Sequence, residues 1–147
     1  MISMYMAEGQ LAAKQYKAAI ANLETLLKTS PDNPLVLNNL AWAYQQEKDP
    51  RALATAERAN KLAPDSAPLM DTLGWLLVEQ GDLKRGVALL DKAAALAPKA
   101  NDIRYHLAAG LHKAGDKARA RKELDKALAD GKPFAQVEEA RALLKQL

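Results

Sequence analysis

The sequence contains no cysteine, which excludes disulfide bonds and thiolate metal sites. Aromatic residues are scarce, with one Phe, two Trp and four Tyr, although 49% of the 147 residues are hydrophobic. Ala and Leu supply most of the apolar content, and both favour closely packed helices over strands. No apolar run approaches the roughly 18–20 residues that cross a bilayer, so we expect no membrane insertion by this segment.

Motifs of catalysis and of phosphate binding are also missing from the sequence. There is no GxSxG, no glycine-rich phosphate loop and no HExxH. The two histidines, His106 and His112, are six residues apart, so on one helix they point about 120° from one another. They cannot chelate one metal ion without a third ligand, and we expect each to face solvent or a groove instead. The sequence therefore predicts no enzymatic activity, no cofactor and no metal site.

The net charge of +3 is small but unevenly distributed. Residues 1–80 contain seven Lys/Arg against nine Asp/Glu, whereas residues 81–147 contain fourteen against nine. The most basic segment, 116–126, alternates its Lys and Arg with Asp116, Glu123 and Asp125. Such alternation is typical of a solvated helix face, and a nucleic-acid interface would need one basic face with interleaved aromatics. We therefore expect no nucleic-acid partner.

An internal repeat is the most informative feature of the chain. The segments KTSPDN, KLAPDS and ALAPKA place Pro31, Pro64 and Pro98 at intervals of 33 and 34 residues. Small and apolar residues precede each proline at helical spacing, as in Ala52, Ala56 and Ala59 of the second unit. A period near 34 residues with two helices per unit is typical of a solenoid of helical hairpins.

Turn and cap residues divide the repeat into helices. Asn33 before Pro34 predicts a helix start, and Gly81-Asp82 and Gly115-Asp116 each predict a helix stop followed by a new cap. The equivalent turn at Lys48 is one residue shorter, and Ser66 and Asn101 are expected to open later helices. The predicted helices span 2–13, 17–29, 34–46, 50–62, 67–79, 83–96, 101–113 and 117–129.

A ninth helix is predicted at the C-terminal end of the sequence. Phe134, Val137, Ala140, Leu144 and Leu147 recur every three to four residues, and Pro133 would open the helix. This apolar stripe would cap the last hairpin. We therefore expect one domain, 1–147, with units at about 1–33, 34–66, 67–100 and 101–132 and a capping helix over 133–147.

The units resemble tetratricopeptide repeats (TPRs). The second unit matches that family's pattern at Leu37, Leu40, Ala41, Tyr44, Ala52, Ala59 and Pro64, and the third at Met70, Leu73, Gly74, Leu77, Gly81, Ala93 and Pro98. The fourth departs from it, because Lys132-Pro133 displaces the closing proline. The resemblance implies an all-α, right-handed α-solenoid of four hairpins plus the capping helix. It also implies a non-enzymatic scaffold that binds a protein or peptide in its concave groove.

The first unit is atypical, with Ser3, Gln10 and a mid-helix Gly9 where apolar or helix-forming residues belong. We therefore expect its first helix to be the weakest, and the chain to be the C-terminal part of a longer bacterial assembly protein. Residues 71–116 are also similar to the final repeats of bacterial multi-TPR lipoproteins associated with exopolysaccharide and PEP-CTERM protein sorting. That resemblance implies a periplasmic or envelope-associated location.

In the family, the first helix of each unit lines the groove and contacts the ligand at set positions. In this sequence the groove residues implied by the resemblance are Asn38, Asn39, Trp42, Gln45, Asp71, Thr72, Trp75, Glu79, Tyr105, His106 and His112.

Trp42 and Trp75 occupy the same position in successive units. They are either binding anchors, whose loss would barely affect stability, or packing residues between hairpins. Asn38 and Asn39 either hold a peptide backbone, as such residues do in many TPRs, or are simply solvated. The alternative function is a structural spacer or self-association module that forms a homo-oligomer.

Overall fold

The computed structural model describes residues 3–147, which form α-helices and no strand. The helices of these residues are α1 (Met4–Ala12), α2 (Tyr16–Thr29), α3 (Pro34–Gln46), α4 (Ala52–Leu62), α5 (Ala67–Glu79), α6 (Leu83–Leu96), α7 (Asn101–Lys113), α8 (Lys117–Ala129) and α9 (Val137–Gln146). Among these nine, no helix has both the length and the apolar character needed to cross a membrane. The first helix was predicted to begin at residue 2, which lies outside the described residues.

Consecutive helices pair into hairpins, and each hairpin packs on the next. Within the hairpins, α1 packs on α2, α3 on α4, α5 on α6 and α7 on α8; between them, α2 packs on α3, α4 on α5, α6 on α7 and α8 on α9. The first helices also contact one another in order, so that α1, α3, α5, α7 and α9 form one continuous row. The predicted all-α solenoid is confirmed.

Local side-chain caps explain where most helices begin. The Asn33 side chain accepts hydrogen bonds from the backbone N–H groups of Leu35 and Val36, and Pro34 follows in the first turn. Asp82 and Asp116 cap α6 and α8 in the same way. Gly81 and Gly115, which precede these caps, both adopt φ 91°, a left-handed conformation that glycine alone adopts without cost.

The shorter turn of the second unit uses a lysine in place of that glycine. Lys48 adopts φ 55°, and Asp49 then accepts a hydrogen bond from the Arg51 backbone N–H at 2.9 Å. As a result α4 begins at Ala52, two residues later than predicted. Helix α7 begins at Asn101 as expected, but the cap position is Ala100, and the Asn101 side chain donates to Asp130 instead.

The prediction that Pro133 opens the last helix is wrong, because α9 begins at Val137. Gly131 turns the chain with φ 68°, and the Lys132 N–H donates to the Asp130 side chain at 2.9 Å. Phe134 leaves this turn to pack with the cluster of Ala108, Leu124 and Ala140. Burial of Phe134 therefore fixes an irregular segment before the helix, and α9 then packs against α7 and α8.

In the third hairpin, a glycine on each helix lets the two helix backbones approach each other closely. A Cβ atom on Gly86 would lie 2.8 Å from the Gly74 carbonyl oxygen and 2.7 Å from the Val78 Cγ2 atom. The α5 and α6 backbones can meet there because neither glycine carries a side chain. Both glycines are buried, and this tight crossing fixes the part of α5 that carries Trp75 and Glu79.

Candidate functional site

A pocket of about 410 Å³ opens on the row of first helices. Its floor is formed by Trp42 of α3, Trp75 of α5, and Tyr105 and His106 of α7, and we refer to it as the aromatic pocket. The remaining lining residues come from both ends of the solenoid and from the ends of α3 and α5: Leu11, Ala12, Lys14, Tyr16, Gln46, Glu79, Ala135, Gln136 and Glu139. The superhelix thus brings the α1–α2 turn and the start of α9 to the two sides of one cavity.

His106 lies at the centre of the aromatic side chains. Its ring stacks on Trp75, with centroids 4.6 Å apart and an interplanar angle of 27°. The Trp42 ring lies 6.1 Å away and the Tyr105 ring 5.7 Å away, both tilted. Because His106 is only 2% exposed, it supports the partly exposed aromatics around it.

A buried hydrogen bond holds the His106 ring in place. Its Nδ1 lies 2.7 Å from Oδ1 of Asp71, which is buried on α5. In the neutral imidazole, Nδ1–H donates to the carboxylate and leaves Nε2 as an acceptor. That Nε2 atom is buried and has no hydrogen-bond partner among the described residues, and the same is true of Gln136 Oε1. Gln136 therefore carries an unpaired buried acceptor, and His106 carries a second one when its ring is neutral.

The charged residues of the aromatic pocket are two carboxylates, Glu79 and Glu139, and one ammonium, Lys14. Gln45 Nε2 lies 3.3 Å from Glu79 Oε1 and orients that carboxylate. Burial, together with the negative charges of Glu139 and Glu79, raises the pKa of Tyr105. The described lining is therefore acidic on balance, in contrast to the basic C-terminal half of the sequence.

A second pocket of about 340 Å³ adjoins the first on the α9 side. It contains His112, Lys113 and Leu143, and shares Trp75 and Tyr105 with the aromatic pocket. Lys113 Nζ lies 5.9 Å from the Trp75 ring centroid, a distance at which a cation is attracted to the ring. The Nδ1 atom of His112 is buried without a partner among the described residues.

Several residues predicted for the groove are placed differently. Asp71 and Thr72 are 8% and 6% exposed, so they and His106 do not present open contact surfaces. The Thr72 hydroxyl donates to the Pro68 carbonyl within α5. Asn39 Nδ2 lies 4.0 Å from Met4 Sδ, and therefore α1 rather than the aromatic pocket is its neighbour.

Asn38 is partly buried, and its Oδ1 has no partner among the described residues. A binding role for any of these side chains remains a prediction.

The two tryptophans, which have equivalent positions in the repeat, differ in packing. Trp75 packs against the apolar cluster of α5, α6 and α7 that includes Met70, Leu107 and Leu111. Trp42 approaches His106 but belongs to no apolar cluster of residues 3–147. We therefore expect that loss of the Trp42 side chain barely affects stability, whereas loss of the Trp75 side chain lowers it.

The pocket residues contributed by the two ends of the chain are not predicted by the repeat. Lys14, Tyr16, Gln136 and Glu139 lie outside the repeat positions that the family uses. The amphipathic pattern of α9 indicated that its apolar face packs, but no pattern indicated that its N-terminal residues reach a pocket. Their convergence is consistent with the small rotation between stacked units that curves a solenoid.

A further cavity of about 600 Å³ lies between the α6–α7 turn and the segment before α9. Two of its polar side chains already have partners, since Asn101 donates to Asp130, and Arg104 pairs with Glu123 at 2.8 Å. No cluster of three His, Asp or Glu within residues 3–147 is arranged to hold a metal ion. The aromatic pocket is therefore the stronger candidate site.

Models of the tetratricopeptide repeat match residues 10–73 and 72–136. No curated protein matches the sequence.

Among solved structures, TTC0263, a thermophilic TPR protein of Thermus thermophilus, is 24% identical, with a TM-score of 0.79 over 97% of this chain and 79% of that chain. YrrB, described as a TPR protein with an unusual peptide-binding site, is 20% identical, with a TM-score of 0.72 over 97% and 72%. MamA is 22% identical, with a TM-score of 0.69 over 87% and 75%. At these identities the likeness shows the fold.

Proposed function

We propose that this chain, which belongs to the tetratricopeptide-repeat family, binds a segment of another protein in its aromatic pocket. As a member of that family it is a protein-interaction scaffold without enzymatic activity. A scaffold acts by holding its partner, so we further propose that the chain works within a larger assembly.

The observation that carries this proposal is the convergence of Trp42, Trp75 and Tyr105 on one pocket while all three remain partly exposed. Large aromatic side chains bury much area on binding at a small cost in conformational entropy, and they dominate many protein interfaces. The pocket volume of about 410 Å³ also lies within the range usual for ligand sites. The hydrogen bond between His106 and Asp71 fixes the His106 ring, which lies next to both tryptophan rings. This fixed ring preorganises the pocket.

The proposal is tested with peptides selected from a random displayed library against the folded chain. Trp42→Ala should weaken binding of the selected peptides by more than about 1 kcal/mol, as anchor residues do, while the melting temperature stays nearly constant. Trp75→Ala should weaken binding and also destabilise the fold by about 1–3 kcal/mol, because a packed side chain is lost. Fluorescence anisotropy and thermal melts measure the two effects.

Tyr5→Ala is the matched control, since Tyr5 is an aromatic residue of α1 that is 86% exposed outside the pocket. It should change neither binding nor stability. Binding that is unaffected by Trp42→Ala, or a library that yields no peptide dependent on the tryptophans, would contradict the proposed function.

Self-association is a second candidate, and the exposed surface of α1 favours it. Tyr5 and Met6 are 86% and 49% exposed on consecutive positions of that helix. Sedimentation over a range of concentrations tests this candidate. A mass that rises with concentration in the natural sequence and stays monomeric in Tyr5→Glu would support it, and a constant monomer mass would exclude it.

A further inference from the structure

We infer that the partner side chain recognised in the aromatic pocket is an arginine, whose guanidinium group binds between the aromatic rings and the two carboxylates. This inference rests on the proposed function and specifies the chemistry of the bound segment. It follows from three properties of the pocket: its unpaired acceptor, its charge and its aromatic lining.

The first property is an unpaired acceptor. Gln136 lines the pocket, and its Oε1 atom is buried and lacks a partner among the described residues. A buried acceptor without a donor costs free energy, so a ligand that supplies donors is favoured. Guanidinium carries five N–H donors and no acceptor, which complements this lining.

The second property is the charge of the lining. Glu79 and Glu139 contribute two carboxylates, whereas the Asp71 carboxylate is already paired with His106. Lys14 is the one ammonium of the described lining, and its side chain is exposed, so it can turn away into solvent. An acidic ligand group would meet two like charges, whereas a cation meets opposite charges.

The third property is the aromatic lining. Trp75 and His106 are stacked, Trp42 and Tyr105 are tilted around them, and Trp42, Trp75 and Tyr105 remain partly exposed. Lys113 of the adjoining pocket already lies over the Trp75 ring, so this ring attracts cations within the protein itself. A planar guanidinium stacks on such rings and hydrogen-bonds at its edge, whereas the compact ammonium of lysine is more strongly hydrated.

The test uses the full chain, labelled with nitrogen-15, and N-acetyl-arginine amide as the probe. The indole N–H resonances of Trp42 and Trp75, assigned with Trp42→Phe, should shift and saturate as the probe is added. N-acetyl-citrulline amide has nearly the same shape without the charge and should produce no saturable shift. Equal responses to the two probes, or no movement of either indole resonance, would overturn the assignment of arginine.

Two glutamate variants separate a specific site from general attraction. Glu139→Gln should weaken binding of the arginine probe about threefold to tenfold, because it removes a charge-assisted hydrogen bond. Glu138→Gln is the matched control: Glu138 is the preceding residue, is exposed, pairs with Arg141 and lies outside the aromatic pocket. If the two variants weaken binding equally, the pocket does not select the cation and the inference fails.

The peptide selection distinguishes the failure of this inference from that of the proposed function. Selected peptides that depend on Trp42 should contain an arginine whose replacement by citrulline abolishes binding. Peptides that depend on Trp42 but contain no arginine would leave the proposed function intact and overturn the inference alone.

Discussion

Replacing Gly86 with alanine tests whether the third hairpin depends on direct contact between its two helix backbones. The added Cβ atom would lie 2.7 Å from Val78 Cγ2, 2.8 Å from the Gly74 carbonyl oxygen and 3.0 Å from the Val78 backbone nitrogen. Two of these three neighbours are backbone atoms, which cannot rotate away as a flexible side chain can. The methyl group therefore forces α5 and α6 apart.

Two opposing effects determine the size of the change. Alanine is about 1 kcal/mol more favourable than glycine inside a helix. Overpacking usually costs about 1–3 kcal/mol, and backbone neighbours place this site at or above the upper end of that range. We expect Gly86→Ala to lower the free energy of unfolding by about 2 kcal/mol or more and the melting temperature by at least about 4 °C.

Thermal and urea unfolding followed by circular dichroism measure this effect. Gly9→Ala is the control, because a Cβ atom on Gly9 of α1 would meet no atom within 4 Å. Only the helix preference then acts, and this variant should gain up to about 1 kcal/mol. If Gly86→Ala is as stable as the natural sequence or more stable, the two helices do not require the close approach.

Three further changes test the turn, the cap and a buried tyrosine. Lys48→Gly should raise stability by up to about 1 kcal/mol, because φ 55° is strained for lysine, whereas Lys61→Gly inside α4 should lower it by about 1 kcal/mol. The urea midpoints of the two variants measure these opposite changes in stability. A loss of stability in both variants would show that the Lys48 backbone is not strained. Deleting 133–147 should uncover the apolar cluster of the last hairpin, lower the melting temperature and promote aggregation in light scattering. A truncated chain that melts normally as a monomer would show that α9 is not a cap. Burial and the hydrogen bond to Glu24 raise the pKa of Tyr44 to about 12, above its ordinary 10.0, so the unfolded chain ionises first and stability should fall between pH 10 and 12. Tyr44→Phe should show a smaller loss of stability over that range, and an equal loss in both proteins would contradict the shift.

The helices were predictable because their ends depend on residues close in sequence. The predicted limits of α3 and of α5 through α8 agree with the structure. Four of these five helices, all except α7, have a side-chain cap within three residues, from Asn33, Ser66, Asp82 and Asp116. The errors arose where tertiary contacts compete with such local patterns. Pro133 is a favourable first residue for a helix, but Phe134 is partly buried in an irregular segment, and α9 therefore begins at Val137.

The candidate site was predictable only in part. Trp42, Trp75, Tyr105 and Glu79, which were named from their repeat positions, all line the aromatic pocket, because equivalent residues of stacked units face the same side, and their binding role stays a prediction. It did not distinguish buried from exposed members of that row. The pairing of Asp71 with His106 joins residues 35 positions apart, and no local sequence pattern predicts it.

Sequence alone determined the repeat, the helical hairpins and the faces on which consecutive hairpins pack, since each of these depends on a residue and its near neighbours. Tertiary structure alone decided that Lys14 and Tyr16 of the first hairpin and Gln136 and Glu139 near α9 share one pocket with the aromatic residues. The physical reason is cumulative geometry. Each hairpin adds a small rotation to the solenoid, and the curvature that brings its two ends to the same pocket is the sum of those rotations.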